Sequence, residues 1–289
     1  MTGVPTPAAT TVVVPACDDA ATIGAVVEGL RAAAPWRDVL VIDDGSTDGT
    51  AKAAAAAGAR VVRHPHRKGS GAAVKSGIRE ARGDFVLILD RDGRCPPAEA
   101  RHLTSLLDGF DLVVGVRPAG DEPSPLRRLA RAFLDRLASY LAEQRVADLT
   151  SPIRAARREP LLEIVHLLPD GFSSGTTTTM AFIRAGYSVR FEGLAPAQRG
   201  RGVPAAAADR APFLATLLRV ITVYSPLRVF LPLSLGAFAL GAAYAVWTIG
   251  TQSHVTNSSV VLILLGVVIL LVGLVSEQVS SLLFEARPR

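Results

Sequence analysis

The chain has 289 residues and a formal net charge of +5, and 49% of its residues are hydrophobic. Its two cysteines exclude a disulfide framework and favour a reducing compartment. The positive charge suits anionic lipids or phosphorylated substrates, whereas nucleic acid is not expected as a partner because the sequence lacks a nucleic-acid-binding motif.

Strands and helices alternate along most of the chain. Apolar, β-branched runs predict strands at residues 11–15, 39–42, 60–62, 85–89, 112–116 and 187–191. Helices are predicted at residues 22–33, 51–57, 72–81, 96–107, 126–142 and 160–167. This alternation predicts an α/β fold with a mostly parallel sheet that carries helices on both faces. In such sheets, ligands bind beyond the carboxyl ends of the strands.

Acidic residues follow three of the predicted strands. They lie within residues 17–19, within residues 43–46, and at Asp90 and Asp92. Because the carboxyl ends of parallel strands meet at one edge of a sheet, we expect these acids to converge on one crevice. Carboxylates suit Mg²⁺ or Mn²⁺, which usually bind through one or two acids plus the phosphates of a substrate. An Asp-x-Asp pair alone is weak evidence, since acidic pairs at strand ends also form turns and helix caps.

The composition changes after residue 204. We predict a soluble domain over residues 1–204, a linker with an interfacial amphipathic helix over residues 205–225, and a two-helix transmembrane hairpin over residues 226–289. The apolar run 227–250 would span about 36 Å, enough to cross the ~30 Å hydrocarbon core of a bilayer. The alternative is that the two apolar runs are buried core helices. Arginines flank the hairpin on one side only, so the positive-inside rule predicts that the soluble domain and the carboxyl terminus face the cytoplasm at the inner membrane.

Several motifs occur in order between residues 11 and 200. They are Val14-Pro15-Ala16-Cys17-Asp18-Asp19, Val41-Ile42-Asp43-Asp44-Gly45-Ser46-Thr47-Asp48-Gly49-Thr50, Lys68-Gly69-Ser70-Gly71-Ala72-Ala73, Ala81-Arg82-Gly83-Asp84, Asp90-Arg91-Asp92, Val114-Gly115-Val116-Arg117, and Asp148-Leu149-Thr150-Ser151 with Arg154. Together they resemble the family 2 inverting glycosyltransferases of GT-A fold. The last two are similar to the polyprenyl-phosphate branch of that family, which includes dolichyl-phosphate mannosyltransferase. The carboxyl-terminal hairpin resembles the bacterial members of this branch.

The resemblance implies a donor site for a nucleotide sugar at the ends of the first strands. The residues that it assigns to this site are Pro15, Ala16, Asp19, Asp44, Lys68, Gly69, Asp90, Arg91 and Asp92. Asp90 and Asp92 would also hold Mg²⁺ or Mn²⁺. The family often has an aromatic residue followed by Asn-Glu where this chain has Cys17-Asp18-Asp19, so aromatic stacking on the donor is not expected. Arg94 stands where relatives have an acid or amide, and it could replace part of the metal's charge.

The resemblance also implies a site for the phosphate of a polyprenyl phosphate acceptor. The arginines assigned to this site are Arg117, Arg131, Arg199 and Arg201. Arg131 is the preferred match to an arginine in the helix after Arg117, and Arg128 is the second choice. With Asp92, Arg117 and Arg131 are the implied catalytic residues. Because the second pKa of a phosphate monoester is about 6, the acceptor is already an anionic nucleophile at pH 7 and requires no general base.

The implied reaction is the transfer of a sugar from a UDP- or GDP-sugar to polyprenyl phosphate, with inversion, at the bilayer, by a chain that could form homo-oligomers. A polysaccharide synthase is disfavoured because the Gln-x-x-Arg-Trp signature is missing. An inactive nucleotide-binding scaffold subunit stays open because of Arg94 and the altered segment 199–202. A transferase with another lipid or glycan acceptor is also open.

Other features have ordinary interpretations. The arginines between positions 127 and 136 are as well explained by a solvated helix face as by phosphate binding. His64-Pro65-His66 is interpreted as a solvated loop, and residues 176–179 as a hydroxyl-rich turn. Cys17 and Cys95 are interpreted as inert small residues.

Overall fold

The computed structural model describes residues 4–89, 97–118, 125–171, 174–195, 226–252 and 254–285. The chain divides into two compact units, Met1–Thr216 and Leu217–Arg289. The predicted linker and interfacial helix at residues 205–225 lie outside the described residues, so the predicted domain boundaries stay a prediction.

The first unit is built on a sheet of seven strands. They are β1 (Thr10–Ala16), β2 (Asp38–Asp43), β3 (Arg60–Arg63), β4 (Phe85–Leu89), β5 (Leu112–Val116), β6 (Ile153–Arg157) and β7 (Val189–Gly193). Their order across the sheet is β3-β2-β1-β4-β6-β5-β7. Strand β6 runs antiparallel to both of its neighbours, β4 and β5, and the other pairs are parallel. The predicted mostly parallel α/β sheet is therefore confirmed.

In the residues that the structure describes, seven α-helices lie along the chain between or beside these strands. They are α1 (Ile23–Ala33), α2 (Thr50–Ala56), α3 (Ser70–Glu80), α4 (Pro97–Ser105), α5 (Pro125–Ala142), α6 (Arg158–Ile164) and α7 (Ser174–Arg184). The central strands are apolar on both faces because helices cover both, and every residue of β1 is buried. Helix α3 approaches β1 closely at Gly77, where an added Cβ would collide with the side chain of Val13. This close approach brings the amino-terminal end of α3 to the carboxyl edge of the sheet.

Two elements differ from the sequence-based expectation. Residues 153–157 were not among the predicted strands, yet they form strand β6, because the two arginines that interrupt its apolar pattern have tertiary partners. Arg157, for example, lies over the Phe85 ring at 5.5 Å and pairs with Asp111. The threonines at 176–179 lie buried in helix α7 and not in a turn. Two of their hydroxyls donate to carbonyls four residues earlier in the same helix.

The described part of the second unit consists of two long apolar helices, α8 (Pro226–Gln252) and α9 (Asn257–Glu285). Their candidate membrane spans, Leu227–Thr251 and Asn257–Leu282, have mean hydropathies of 1.9 and 3.0. Only 11% and 17% of the two windows are buried, which contradicts the alternative of two buried core helices. The helices pack closely at glycines: a Cβ on Gly241 would lie 2.9 Å from Ile263. Small residues at such contacts are typical of helix pairs in membranes.

Candidate active site

The carboxyl ends of β1 and β2 are tied to each other by hydrogen bonds. The backbone N–H of Asp44 donates to the carbonyl of Ala16 at 2.9 Å. The backbone N–H of Asp19 donates to the hydroxyl of Thr50 at 2.8 Å, and the Asp19 carboxylate accepts the N–H of Cys17 at 2.9 Å. The loops after the two strands therefore hold each other in place, so the predicted donor residues there share one edge of the sheet.

The carboxylate of Asp44 is buried and collects three hydrogen bonds. Its oxygens accept from Nδ1 of His64 at 2.8 Å, from the backbone N–H of Lys68 at 2.9 Å and from that of Gly69 at 2.8 Å. Burial raises the pKa of this carboxyl, but these hydrogen bonds outweigh burial and hold the pKa below its usual value of 3.8. Asp44 is therefore a fixed negative charge at neutral pH.

The buried side chain of His64 contacts the Asp44 carboxylate. Its side chain is 6% exposed, and its Nε2 lies 2.9 Å from the hydroxyl of Ser76 on α3. The interpretation of His64-Pro65-His66 as a solvated loop is therefore wrong for His64, although His66 is exposed. In the neutral ring, an Nδ1–H that donates to Asp44 leaves Nε2 to accept from Ser76. The position of His64 directly after strand β3 was the sequence signal that could have suggested this role.

The turn that carries Lys68 and Gly69 requires a glycine. Gly69 has φ of 110°, and a Cβ there would lie 2.5 Å from the carbonyl oxygen of Asp170. The same carbonyl accepts the N–H of Ala72 at 2.8 Å. The two amides that reach Asp44 are thus anchored, whereas the Lys68 side chain is exposed.

A pocket opens at the carboxyl ends of β1 and β4. Its lining includes Pro15, Leu89 and Arg154, together with hydroxyl-bearing residues such as Thr150 and Thr178. A wall of hydroxyls and one guanidinium suits a polar ligand such as a sugar or a phosphate.

Arg154 lines this pocket and is 6% exposed. Its Nη2 donates to the carbonyl of Leu149 at 3.1 Å, and its Nε donates to the hydroxyl of Thr179 at 3.3 Å. A Cβ at Gly175 would collide with the guanidinium, so a larger residue there would displace the Arg154 side chain from its present position. In the sequence, Arg154 is recognisable only as part of a motif, whereas in the structure it lines the pocket.

Arg117 and Arg131 meet at a single carboxylate, that of Asp148. Arg117 donates to Asp148 through both Nε and Nη2, each at 3.0 Å, and Nη2 of Arg131 lies 3.0 Å from the same carboxylate. Arg117 also donates to the hydroxyl of Thr150 at 2.6 Å. Since Thr150 lines the pocket, this arginine cluster shares a wall with it.

Two acids balance the two arginines. Burial raises the pKa of Asp148, but its contacts with Arg117 and Arg131 prevail and hold the pKa below 3.8. Asp135 accepts the N–H of Leu149 at 2.8 Å and lies 3.7 Å from Arg131. Burial raises the pKa of Asp135 to about 6, and repulsion from Asp148 adds to the rise. The charges of these four described side chains therefore nearly cancel at pH 7, and their sum becomes more positive below about pH 6.

Comparison with known proteins identifies the family of this chain. Residues 11–165 match the family described as Glycosyl transferase family 2. The chain belongs to glycosyl transferase family 2. Residues 225–282 of this glycosyltransferase match the GtrB C-terminal hairpin. It is 30% identical to Glycosyltransferase AglJ of Haloferax volcanii over 300 aligned residues. The alignment covers 99% of this chain and 98% of AglJ.

Two further relatives carry more chemical information. The undecaprenyl-phosphate 4-deoxy-4-formamido-L-arabinose transferase of Pectobacterium carotovorum is 28% identical over 54% of this glycosyltransferase and 50% of that protein. A crystal structure of Mycobacterium tuberculosis glucosyl-3-phosphoglycerate synthase, in complex with Mn²⁺, uridine-diphosphate and glucosyl-3-phosphoglycerate, is 29% identical with a TM-score of 0.58. It covers 73% of this chain and 79% of that one. Another structure of that synthase holds Mg²⁺ and uridine-diphosphate.

Part of the predicted site of this glycosyltransferase lies outside the described residues. These positions are Asp90, Arg91, Asp92, Arg94, Arg199 and Arg201. Among the residues that are described, no group of three His, Cys, Asp or Glu side chains could hold a metal ion. Strand β4 ends at Leu89, which lines the pocket, and Asp90 is the next residue in the sequence. The assignment of Mg²⁺ or Mn²⁺ to Asp90 and Asp92 therefore stays a prediction.

Proposed function

We propose that this glycosyltransferase moves a sugar from a UDP- or GDP-sugar to polyprenyl phosphate, with inversion at the sugar carbon. The observation that carries the proposal is the wall shared by the pocket and the arginine cluster. Thr150 lines the pocket and accepts a hydrogen bond from Arg117, so a phosphate bound by the arginines would lie next to a sugar in the pocket. The undecaprenyl-phosphate transferase among the relatives, and the apolar hairpin, support a polyprenyl phosphate acceptor.

The donor side of the proposal uses the linked ends of β1 and β2. The proposed nucleoside-binding residues are Pro15, Ala16, Asp19, Asp44, Lys68 and Gly69. Asp44 supplies a fixed negative charge that can accept hydrogen bonds from the base or ribose. Its three donors determine where its remaining lone pair points, which favours one orientation of the nucleoside.

The acceptor side uses electrostatic attraction and not proton transfer. A phosphate oxygen of the acceptor attacks the sugar carbon, and the bond from that carbon to the nucleoside diphosphate breaks. Because the acceptor is already anionic at pH 7, the protein has only to hold two anions close together. Arg117 and Arg131 are suited to this, since a guanidinium binds phosphate through two parallel hydrogen bonds. Arg199 and Arg201 are proposed as further phosphate ligands.

Asp90 and Asp92 are the proposed ligands of Mg²⁺ or Mn²⁺, with Arg91 as an additional cation. The metal would neutralise the diphosphate as it leaves. The presence of Mn²⁺ and Mg²⁺ with uridine-diphosphate in the structures of the mycobacterial synthase supports this assignment. We also propose that the soluble domain faces the cytoplasm, which follows from the arginines that flank the hairpin.

The test is a transfer assay with the purified full chain in lipid vesicles. Labelled UDP- and GDP-sugars are supplied with polyprenyl phosphate, and the label that enters the organic phase is measured. We expect a lipid-linked product with at least one donor, and we expect Asp92→Asn to abolish it while the variant keeps the far-ultraviolet circular dichroism of the wild type.

The other outcomes each favour a different function. Calorimetric binding of a nucleoside diphosphate without any product would favour the scaffold subunit. A labelled product with phosphoglyceric acid, and none with the lipid, would favour a soluble acceptor like the one in the mycobacterial complexes. Either result would overturn the polyprenyl phosphate proposal.

A further inference from the structure

Asp135 is a largely buried acid to which the proposed reaction gives no role. It belongs to helix α5, and its side chain is 15% exposed. One carboxylate oxygen accepts the backbone N–H of Leu149 at 2.8 Å, and the other lies 3.7 Å from Nε of Arg131. Asp135 therefore connects helix α5 to the loop that carries Asp148, and it lies beside the arginine cluster.

The two arginines receive their hydrogen bonds in this cluster from Asp148. Arg117 donates to the Asp148 carboxylate at 3.0 Å, and Nη2 of Arg131 lies 3.0 Å from the same group. The 3.7 Å between Asp135 and Arg131 is longer than a hydrogen bond. Asp135 therefore acts on a ligand of the arginines mainly through its negative charge.

The charged groups that act on Asp135 come from several parts of the first unit. They are Arg131 on its own helix, Arg117 after β5 and Asp148 before β6. Helix α7 also packs against α5, and its charged residue is Arg184 in its last turn. Burial raises the pKa of Asp135 to about 6, and repulsion from Asp148 adds to the rise. A further negative charge at the arginines would therefore protonate Asp135 near neutral pH.

We propose that Asp135 compensates charge in the acceptor phosphate site, taking up a proton from solvent when a phosphate dianion binds and returning it when the product forms. This role rests on the proposed function. A phosphate monoester carries nearly two negative charges at pH 7, whereas the phosphodiester that the transfer produces carries one. With Asp135 protonated beside the dianion and ionised beside the product, the summed charge of the described site is the same before and after transfer.

The experiment measures how tightly the full chain in detergent binds inorganic sulfate. Sulfate is a dianion whose charge does not change near neutral pH, so the probe itself exchanges no proton. Isothermal calorimetry gives its dissociation constant at fixed ionic strength from about pH 5.5 to 8. Arginines keep their charge over this range, so a change in affinity reports another titrating group of the protein.

Three variants assign the titrating group and the site. Asp135→Asn removes the charge and keeps an oxygen that can accept the N–H of Leu149. The matched control is Asp108→Asn, which removes the charge of an exposed aspartate outside the cluster. Arg131→Met leaves Arg117 to pair with the buried acid and tests whether sulfate binds at the arginines. Every variant keeps all of the histidines.

We expect the wild type to bind sulfate at least about fivefold more weakly at pH 8 than at pH 5.5, since ionised Asp135 repels the dianion. Asp135→Asn should bind with the same affinity at both pH values, close to that of the wild type at low pH. Asp108→Asn should follow the wild type. Arg131→Met should weaken binding at pH 5.5 at least about fivefold.

A pH dependence that survives in Asp135→Asn would overturn the proposal. Binding that is unchanged in Arg131→Met would overturn it as well, since sulfate would then be an adventitious ion only. Sulfate binding requires no sugar transfer, so this proposal and the proposed function can fail separately. The expected sulfate result without any lipid-linked product would overturn the polyprenyl phosphate acceptor and support charge compensation by Asp135 for another phosphate.

Discussion

The Asp44 carboxylate is held by two backbone amides and one side chain, the imidazole of His64. The amides are fixed by the turn at Gly69, so the imidazole is the contact that a substitution can remove. Removing a hydrogen bond to a buried carboxylate costs roughly 1.5–3 kcal/mol, much of it because the charge loses a partner. At the residue scale, His64 therefore helps to fix the position of the Asp44 carboxylate, which is the group proposed to bind the nucleoside.

We expect His64→Phe to weaken binding of UDP or GDP by about tenfold or more. His64→Asn should lose less, because the amide N of asparagine can replace Nδ1 as the donor to Asp44. Isothermal calorimetry on the full chain measures the dissociation constant of the nucleotide for both variants. Ser76→Ala is the control, since it removes the contact to Nε2 and keeps the contact to Nδ1. Unchanged affinity in His64→Phe would show that the imidazole does not prepare the donor site.

Asp135 is a second residue with a specific consequence, because its carboxyl makes the free energy of unfolding depend on pH. Burial raises its pKa from 3.8 to about 6, so the folded chain holds this proton more tightly than the unfolded chain between those pH values. The contribution of Asp135 to the free energy of unfolding therefore falls as the pH rises from about 4 to 6.

Asp135→Asn removes this pH-dependent contribution. Relative to the wild type, the variant should gain unfolding free energy on the order of 2 kcal/mol as the pH rises from about 4 to 7. Denaturant unfolding of the full chain in detergent, repeated across this pH range, measures the difference. The exposed Asp108→Asn should run parallel to the wild type. A constant difference between Asp135→Asn and the wild type would contradict the raised pKa.

At the scale of elements, the hairpin depends on close contact between its helices. A Cβ at Gly241 would lie 2.9 Å from the side chain of Ile263 and 2.9 Å from its backbone N. Gly236, on the same helix α8, has nothing within 4 Å of an added Cβ. The two glycines differ in packing and share the same helical context, which makes them a matched pair.

Gly241→Leu should separate α8 from α9 and destabilise the hairpin by roughly 1–3 kcal/mol, as overpacking does in tight interfaces. Gly236→Leu should leave its stability nearly unchanged. The measurement is the thermal loss of helical circular dichroism in detergent. If the two variants lost helical circular dichroism at the same temperature, the close approach at Gly241 would not contribute to the pairing of the helices.

At the scale of the whole molecule, the hairpin confines the enzyme to the bilayer, where a polyprenyl phosphate would also lie. The rate should then depend on the mole fraction of acceptor in the lipid and not on its bulk concentration. Adding acceptor-free lipid that mixes into the vesicles should lower the rate in proportion, while the KM for the water-soluble nucleotide sugar stays constant. A rate that follows only the bulk acceptor concentration would contradict confinement of both partners to the same bilayer.

The amino-acid sequence by itself determined the strands that are continuously apolar and the helices between them. Strands β4 and β5 begin and end where the sequence predicted, because each is a short, almost entirely buried run of apolar residues and glycine. The two apolar helices of the hairpin were evident for the same reason, since hydrophobicity over 20 residues is a local property. The motifs at the ends of β1, β2 and β4 likewise identified the family before any geometry was known.

The tertiary structure alone decided the elements and contacts whose polar residues are balanced by distant partners. Strand β6 contains two arginines, and helix α7 contains four threonines, so neither has a local pattern that indicates its structure. The burial of His64 against Asp44 and the meeting of Arg117 and Arg131 at Asp148 join residues far apart in the chain. A charged residue is stable in a protein interior only beside its partner, and that pairing is formed by the fold.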